Sequence, residues 1–226
     1  MFRWSHHLNL WVQDNFDSGA LGNFYFCKPH IMKQNSPSLR QALRQARRAL
    51  TPSQQALAST RIFHRLSSTL EFRRAKRIAF YIAGDGEIDP TLLLATALER
   101  GQHCFLPCIH PFIRNRMLFV RYRTGDALVR HPWGMWQPVL RSQSILSPRA
   151  LDLVFVPLVG FDSECNRLGM GKGFYDRGFA FRARSDRHRP QLIGLAHECQ
   201  RVERLENKPW DVRMNKIVSD YQTYRP

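Results

Sequence analysis

The sequence predicts an α/β protein, a single three-layer α/β/α domain in which one mostly parallel sheet lies between helix layers. Three observations carry this. Short apolar runs rich in strand formers alternate along the chain with stretches of helical period. Arg77 to Ile82, the helix after it and His103 to Ile109 read as a strand-helix-strand unit, which makes the two strands parallel. The 226 residues are 43% hydrophobic and 23% charged, the balance of a soluble chain that can bury a core.

The elements follow in order. Apolar residues fall at Leu39, Ala42, Leu43, Ala46 and Leu50, the spacing of a helix with one buried stripe, while Arg40, Arg44, Arg47 and Arg48 lie mostly off it. Thr51 restarts a helix. With Gln54 it forms a capping-box pattern, Pro52 suits the first turn, and Ile62, Phe63, Leu66 and Leu70 continue the stripe, so the two helices read as an N-terminal basic helical hairpin. Arg77 to Ile82 (RIAFYI) is a buried strand ending at Ala83-Gly84-Asp85-Gly86, after which Asp89-Pro90 opens a helix that Gly101 is placed to cap. His103 to Ile109 is the next strand, completing a parallel strand-helix-strand unit. Further strands are expected at Met117 to Tyr122, Leu151 to Pro157, Gln191 to Ala196 and Lys216 to Ser219, with a polar basic loop at Arg182 to Arg189.

Residues 1–31 are rich in Trp, His, Phe and Asn, and Arg3 and Lys28 cancel Asp14 and Asp17. They carry no convincing period, and a basic amphipathic pattern begins just after Met32. The expectation is an atypical extension at 1–31, with Met32 as the candidate translation start, and one folded unit at 32–226; an intact mass of the native protein that includes 1–31 would refute it. Thirty-four Lys and Arg against 18 Asp and Glu give a net charge of +16, all of it after residue 31, so anions are the expected ligands. The five Cys form an odd set without paired short spacings, as in reduced thiols. No apolar run is long enough to cross a bilayer, and polar residues interrupt the N-terminus where a signal peptide would need an apolar core. A cytoplasmic monomer is expected.

The most informative stretch is LDLVFVPLVGFDSECNRLGMGKGFYDR, Leu151 to Arg177. A buried strand is followed by a loop and by Gly169, Gly171 and Gly173, just before a helix expected near Phe174. Amides freed of side chains can close on a phosphate, the helix N-terminus adds partial positive charge, and Arg167, Lys172 and Arg177 add full charges. Asp176, the lone carboxylate in this cluster, is a candidate for holding Mg²⁺ against phosphates. Alternating glycines also serve simply to let a strand approach a helix, and neither the P-loop nor the dinucleotide pattern is present.

The full string RLGMGKGFYDR after VPLVGFD closely resembles the signature of the 5-formyltetrahydrofolate cyclo-ligase (methenyltetrahydrofolate synthetase) family. The resemblance runs from about Ser38 to Val218 and takes in the arginine-rich first helix, YIAGDGEIDP, CFLPCI and PWGMWQP. It implies a fold similar to ribose-5-phosphate isomerases and CoA transferases, with 32–226 as the catalytic domain. It also implies ATP- and Mg²⁺-dependent cyclisation of 5-formyltetrahydrofolate, possessing a glutamate tail or not, to 5,10-methenyltetrahydrofolate, with release of ADP and phosphate.

Carried over by position, the resemblance implies an ATP cradle from Arg167, Leu168, Gly169, Met170, Gly171, Lys172, Gly173, Phe174 and Tyr175. Lys172 and Arg167 would neutralise the phosphoryl group in flight, and Ser36 and Arg40 would reach the nucleotide from the first helix. Glu87 would grip the pterin, whose aminopyrimidinone edge offers a carboxylate two hydrogen bonds. Ile82, Trp133, Phe174 and Tyr175 would line the folate pocket, and Asp176 and Asp211 would hold the metal. Two positions depart from the family pattern: Ser36 stands where a Lys is usual, with Lys33 or Arg44 as substitutes, and Asn215 where an acid is common. Glu87 and Asp89 could instead be acids at a helix N-terminus, Trp133 a core residue, and Asp162 and Glu164 an exposed or capping pair. Residues 39–77 hold ten Lys and Arg against Glu71. They are read as a solvated face or an electrostatic guide, because no nucleic-acid-binding signature accompanies them.

Overall fold

The computed structural model describes residues 37–113, 115–140, 144–184 and 189–226. The extension at 1–31, Lys33 and Ser36 lie outside the described residues. Helix α1 spans Pro37–Arg48 and α2 Pro52–Ser67. The expected capping box opens α2: Gln54 N donates to Thr51 Oγ1 at 3.2 Å and Thr51 N donates to Gln54 Oε1 at 2.8 Å. The stripe does not continue unbroken to Leu70. Thr69 donates both its amide and its hydroxyl to Leu66 O, at 3.0 and 2.8 Å, and a separate helix α3, Leu70–Arg74, begins after it. Ser67, Ser68 and Thr69 are side chains that compete for backbone groups, which ends a helix, and Leu70 is left exposed.

Strand β1 spans Arg77–Ala79, helix α4 Thr91–Glu99 and strand β2 His103–Ile109. β1 stops three residues before Ile82. Its ladder to the strand at Leu153–Pro157 ends at Ala79, and the chain then turns through Asp85 (φ 56°) and Gly86 (φ 74°). Asp89 Oδ1 accepts from the Thr91 amide at 2.9 Å, one position ahead of the cap residue Pro90, so it tethers the helix entry as expected of a capping acid. Gly101 (φ 72°) donates to Leu98 O and Gln102 N to Ala97 O, the paired bonds of a Schellman cap.

The remaining strands are β3 (Met117–Tyr122), β4 (Leu128–Arg130), β5 (Trp136–Pro138), β6 (Ile145–Leu146), β7 (Leu153–Pro157), β8 (Gly160–Phe161), β9 (Arg167–Leu168), β10 (Gln191–Ala196), β11 (Lys216–Ser219) and β12 (Thr223–Tyr224), with helix α5 at Phe174–Phe179. One sheet runs β12-β11-β10-β7-β1-β2-β3-β6. The five strands from β11 to β2 are parallel, and β12, β3 and β6 add antiparallel edges. Alternation along β7 fills both faces: Leu153 and Phe155 pack with Ile62, Phe72 and Leu93 beneath α2 and α4, whereas Val154 and Val156 pack with Phe179 and Ile217 on the side of α5. Helices α1 and α2 stand on different neighbours, α1 on the turn at Glu198–Gln200 and α2 on α4 and β11.

Sequence order reverses between β1 and β7. From β1 the chain moves to β2, and from β7 to β10, on opposite sides. Loops leaving the carboxyl ends of two such strands diverge, and a crevice opens between them.

Candidate active site

The crevice is a cleft of about 1540 Å³ lined by the loops after β1 and β7, the start of α5, the β4–β5 hairpin and the basic side of α1. One wall is the glycine segment. Gly171 (φ 87°) and Gly173 (φ 63°) adopt left-handed backbone that side chains strain to reach, and Gly173 leads directly into α5. A Cβ on Gly173 would stand 2.9 Å from Arg177 Nη1, whereas one on Gly169 would meet nothing within 4 Å. Arg40 reaches this wall from α1 and donates from Nε to Gly169 O at 3.0 Å. Met170 and Lys172 are exposed, while Leu168 is buried in β9 and offers the cleft its backbone.

Lys172 Nζ sits 4.7 Å from the centroid of the Trp133 ring, and that ring is 6.1 Å from Phe174. Trp133 lies in the link between β4 and β5 and is 49% exposed, so it is a cleft residue and not a core one. Ile82, Phe174 and Tyr175 line the same cavity. Tyr175 stacks on Phe179, with ring planes 15° apart, and burial pushes its phenol well above the usual range.

Arg167 and Asp176 satisfy each other: Arg167 donates to Asp176 Oδ1 and to Val212 O in close hydrogen bonds, and Val212 N donates to Asp176 Oδ1 at 3.1 Å. Asp211 also lines the cleft and accepts from the Lys208 amide at 2.9 Å. Asn215 does not join them. Its Oδ1 accepts from Arg182 Nη2 and from Leu192 N, both at 2.8 Å, and so ties the entry of β10 to the segment at Ala180–Arg184.

The opposite wall carries Glu87. Gly84 N donates to Glu87 Oε2 at 3.2 Å, and burial pushes the carboxyl up to about 7, against the opposing charge of Arg47. Beside it Asp85 gathers three arginines of α1. Arg44 Nε and Arg47 Nη2 lie 2.7 and 2.8 Å from Asp85 Oδ2, and Arg48 closes on Oδ1. Burial raises the Asp85 carboxyl, but these three donors outweigh it and hold it below the usual carboxylate range. The basic side of α1 is therefore tied into the fold through Asp85 and is not simply a solvated face, with Arg44 committed to Asp85 and Arg48 52% exposed at its side chain.

Three residues escaped the sequence reading. Arg47 is fully buried despite its charge, and Asp85 looked like a turn residue. His197, also buried, has Nε2 3.1 Å from Gly86 O, and burial holds its imidazole below the usual range. The run Asp85-Gly86-Glu87, beginning 37 residues after the end of a helix full of arginines, was the one available signal. Of the pair read as exposed or capping, Glu164 is exposed, and Asp162 is buried and accepts from the amides of Glu164, Asn166 and Leu205 at 3.1, 3.0 and 3.0 Å, so it caps the turn.

Residues 32–220 match the model of the 5-formyltetrahydrofolate cyclo-ligase family. The chain belongs to that family. It is 37% identical over 186 residues to the 5-formyltetrahydrofolate cyclo-ligase of Haemophilus influenzae, covering 82% of this chain and 97% of that protein. The Escherichia coli K12 enzyme of the same name is 34% identical over 177 residues, 78% of this chain and 96% of the relative. Among solved structures, the Aquifex aeolicus 5,10-methenyltetrahydrofolate synthetase superposes with a TM-score of 0.70 at 29% identity, over 83% of this chain and 91% of that one. The expected fold is borne out. No helix of the described residues is long and apolar enough to cross a membrane.

Proposed function

We propose that the chain catalyses the ATP- and Mg²⁺-dependent cyclisation of 5-formyltetrahydrofolate to 5,10-methenyltetrahydrofolate, releasing ADP and phosphate. The observation that carries this reading is the pairing of two dissimilar walls in one cleft. A glycine segment with Lys172 and Arg40 faces a partly buried carboxylate, Glu87. The first suits polyphosphate and the second an aminopyrimidinone edge.

The formyl oxygen is an amide oxygen and a poor leaving group. In the proposed sequence it attacks the γ-phosphorus of ATP, the bond to the bridging oxygen breaks and ADP leaves. Nitrogen 10 then attacks the activated carbon, gives up its proton to solvent, and phosphate departs with the former formyl oxygen as the ring closes. The protein's share is positioning and charge neutralisation. Lys172 is exposed to the cleft on its Trp133 platform and serves the transferring phosphoryl. Arg167 acts by orienting Asp176. Trp133 and Phe174 form an apolar edge against which the folate ring packs, excluding water from the activated carbon.

Among the described residues no cluster of three or more His, Cys, Asp or Glu can hold a metal by itself. Asp176 and Asp211, both lining the cleft, suit a Mg²⁺ ion that takes one or two carboxylates and completes its shell with phosphate oxygens and water. Bound there, the ion would neutralise phosphate charge. Cleft cations beyond those with acid partners, such as Arg182 and Lys208, supply a field that suits a polyglutamate tail.

The test follows absorbance at the methenyl-folate band when protein is mixed with 5-formyltetrahydrofolate, ATP and Mg²⁺. A rise that requires both ATP and Mg²⁺ supports the reading. Folded protein that gives no rise, or a rise without ATP, overturns it.

A further inference from the structure

Arg47 is the only fully buried arginine among the described residues. Burying a guanidinium is unfavourable unless every donor is met, and here each nitrogen has a partner. Nε donates to Asp85 O at 2.8 Å, Nη1 to Leu158 O at 2.9 Å and Nη2 to Asp85 Oδ2 at 2.8 Å. Nη2 also lies 3.5 Å from Glu87 Oε1. One side chain thus bolts the loop after β1 to the loop after β7, directly behind Glu87. The backbone of α1 presses on the same loop, since a Cβ on Gly86 would stand 3.2 Å from Arg47 O.

We propose that Arg47 is a positioning residue for the reaction: without reaching substrate itself, it fixes the Glu87 carboxylate where the pterin edge of the folate must be read. This rests on the reading of Glu87 as the pterin ligand. The groups facing Glu87 are Arg47 and Arg44 from α1, Asp85 and the Gly84 amide from its own loop, Tyr81 two residues beyond β1 and Tyr175 from α5. Of these, Arg47 is the leading influence favouring the ionised carboxylate. Its loss therefore moves the acid limb of folate binding to higher pH as well as loosening the geometry.

The experiment compares Arg47→Met, Arg47→Lys, Glu87→Gln and the double variant Arg47→Met/Glu87→Gln, measuring kcat and both KM values across the neutral pH range. Arg47→Met is expected to raise the KM for 5-formyltetrahydrofolate about tenfold, leave that for ATP within about twofold and shift the acid limb upward, with the effect shrinking below about threefold in the Glu87→Gln background. Arg47→Lys keeps the charge but not the planar fork, so it raises the folate KM with the limb near its original place. Equal losses for both substrates, an unmoved limb in Arg47→Met, or an undiminished effect in the double variant would overturn the proposal. Should Arg47→Met fail to fold, Arg47→Lys decides, and wild-type folate KM in that variant overturns it. A Glu87→Gln protein with unchanged folate KM refutes the reading of Glu87 itself, and the proposal with it. An impaired Glu87→Gln beside unimpaired Arg47 variants refutes the proposal alone.

Discussion

Replacing Asp85 by Asn removes the charge of the residue on which three arginines converge. Asn keeps the size and tolerates the left-handed backbone at φ 56°, but it keeps one acceptor oxygen of two, so hydrogen bonds to the arginines are lost along with the charge. Breaking a buried ion pair costs about 3–5 kcal/mol because the surviving charge is left uncompensated. Here Arg47 is the buried survivor, but Asp85 is 23% exposed at its side chain and Glu87 stands 3.5 Å from the same guanidinium, which lowers the figure. Arg44 and Arg48 are 33% and 52% exposed, and such pairs contribute about 0.2–1 kcal/mol each. The expected loss is about 3 kcal/mol at neutral pH, lowering the urea midpoint by about 1.5 M if the slope is near 2 kcal/mol per molar. The folded carboxyl is held below its unfolded value of 3.8, so the stabilisation is fully present above 3.8 and fades as pH falls through the lower folded value. Urea unfolding of both proteins between neutral and strongly acid pH tests this. A neutral-pH difference under about 1 kcal/mol, or one that persists unchanged into acid, would refute the picture of Asp85 as the counter-charge of Arg47.

Four further outcomes are expected. Lys172→Ala should cut kcat a hundredfold or more, on the order of 3 kcal/mol of barrier, with little change in unfolding midpoint; near-normal turnover removes Lys172 from the phosphate wall. Gly173→Ala should destabilise by about 1–2 kcal/mol through its positive φ, read by thermal unfolding, and Gly169→Ala should be milder. Asp176→Asn should raise the Mg²⁺ concentration needed for half-maximal rate by about tenfold, while Asp211→Asn moves it less, both read by metal titration of turnover. Asn215→Asp should gain about 1 kcal/mol at neutral pH by charging the hydrogen bond from Arg182 and leave the Mg²⁺ requirement unchanged; a lowered requirement would return this position to the metal site.

Much of the scaffold could be read from the sequence because its signals are periodic and local. The five parallel strands are apolar runs buried on both faces, the capping box at Thr51 lies within four residues, and Gly101 announces its Schellman turn. The short pairs β4–β5 and β8–β9 have two or three residues a strand, too few for alternation to register. The site divides along similar lines. The glycine segment and its cations sit within one stretch of chain, so they were visible together. The pairing of Arg167 with Asp176 was not, because spacing alone does not say which of several neighbouring charges turn toward each other, and neither was the distribution of α1's arginines, whose partner Asp85 comes from a distant element. Arg40, Arg44 and Arg47 looked like surface charge in a helix whose stripe is Leu39 and Leu43. The fold packs both sides of that helix, one on Val159, Leu168 and Val202 and the other against Asp85. A buried charge looks the same in a sequence as an exposed one.

Helix α1 touches the glycine wall through Arg40 and the Glu87 loop through Arg47, seven residues apart. That interval is two turns, about 10.5 Å of rigid rod with both side chains on one side. Inserting a single residue between them would turn Arg47 about 100° away from Asp85 while leaving Arg40 in place. Sequence drift in this helix should therefore be free to change residues but not to change length, and any insertion tolerated by the family ought to fall before Arg40 or after Arg48.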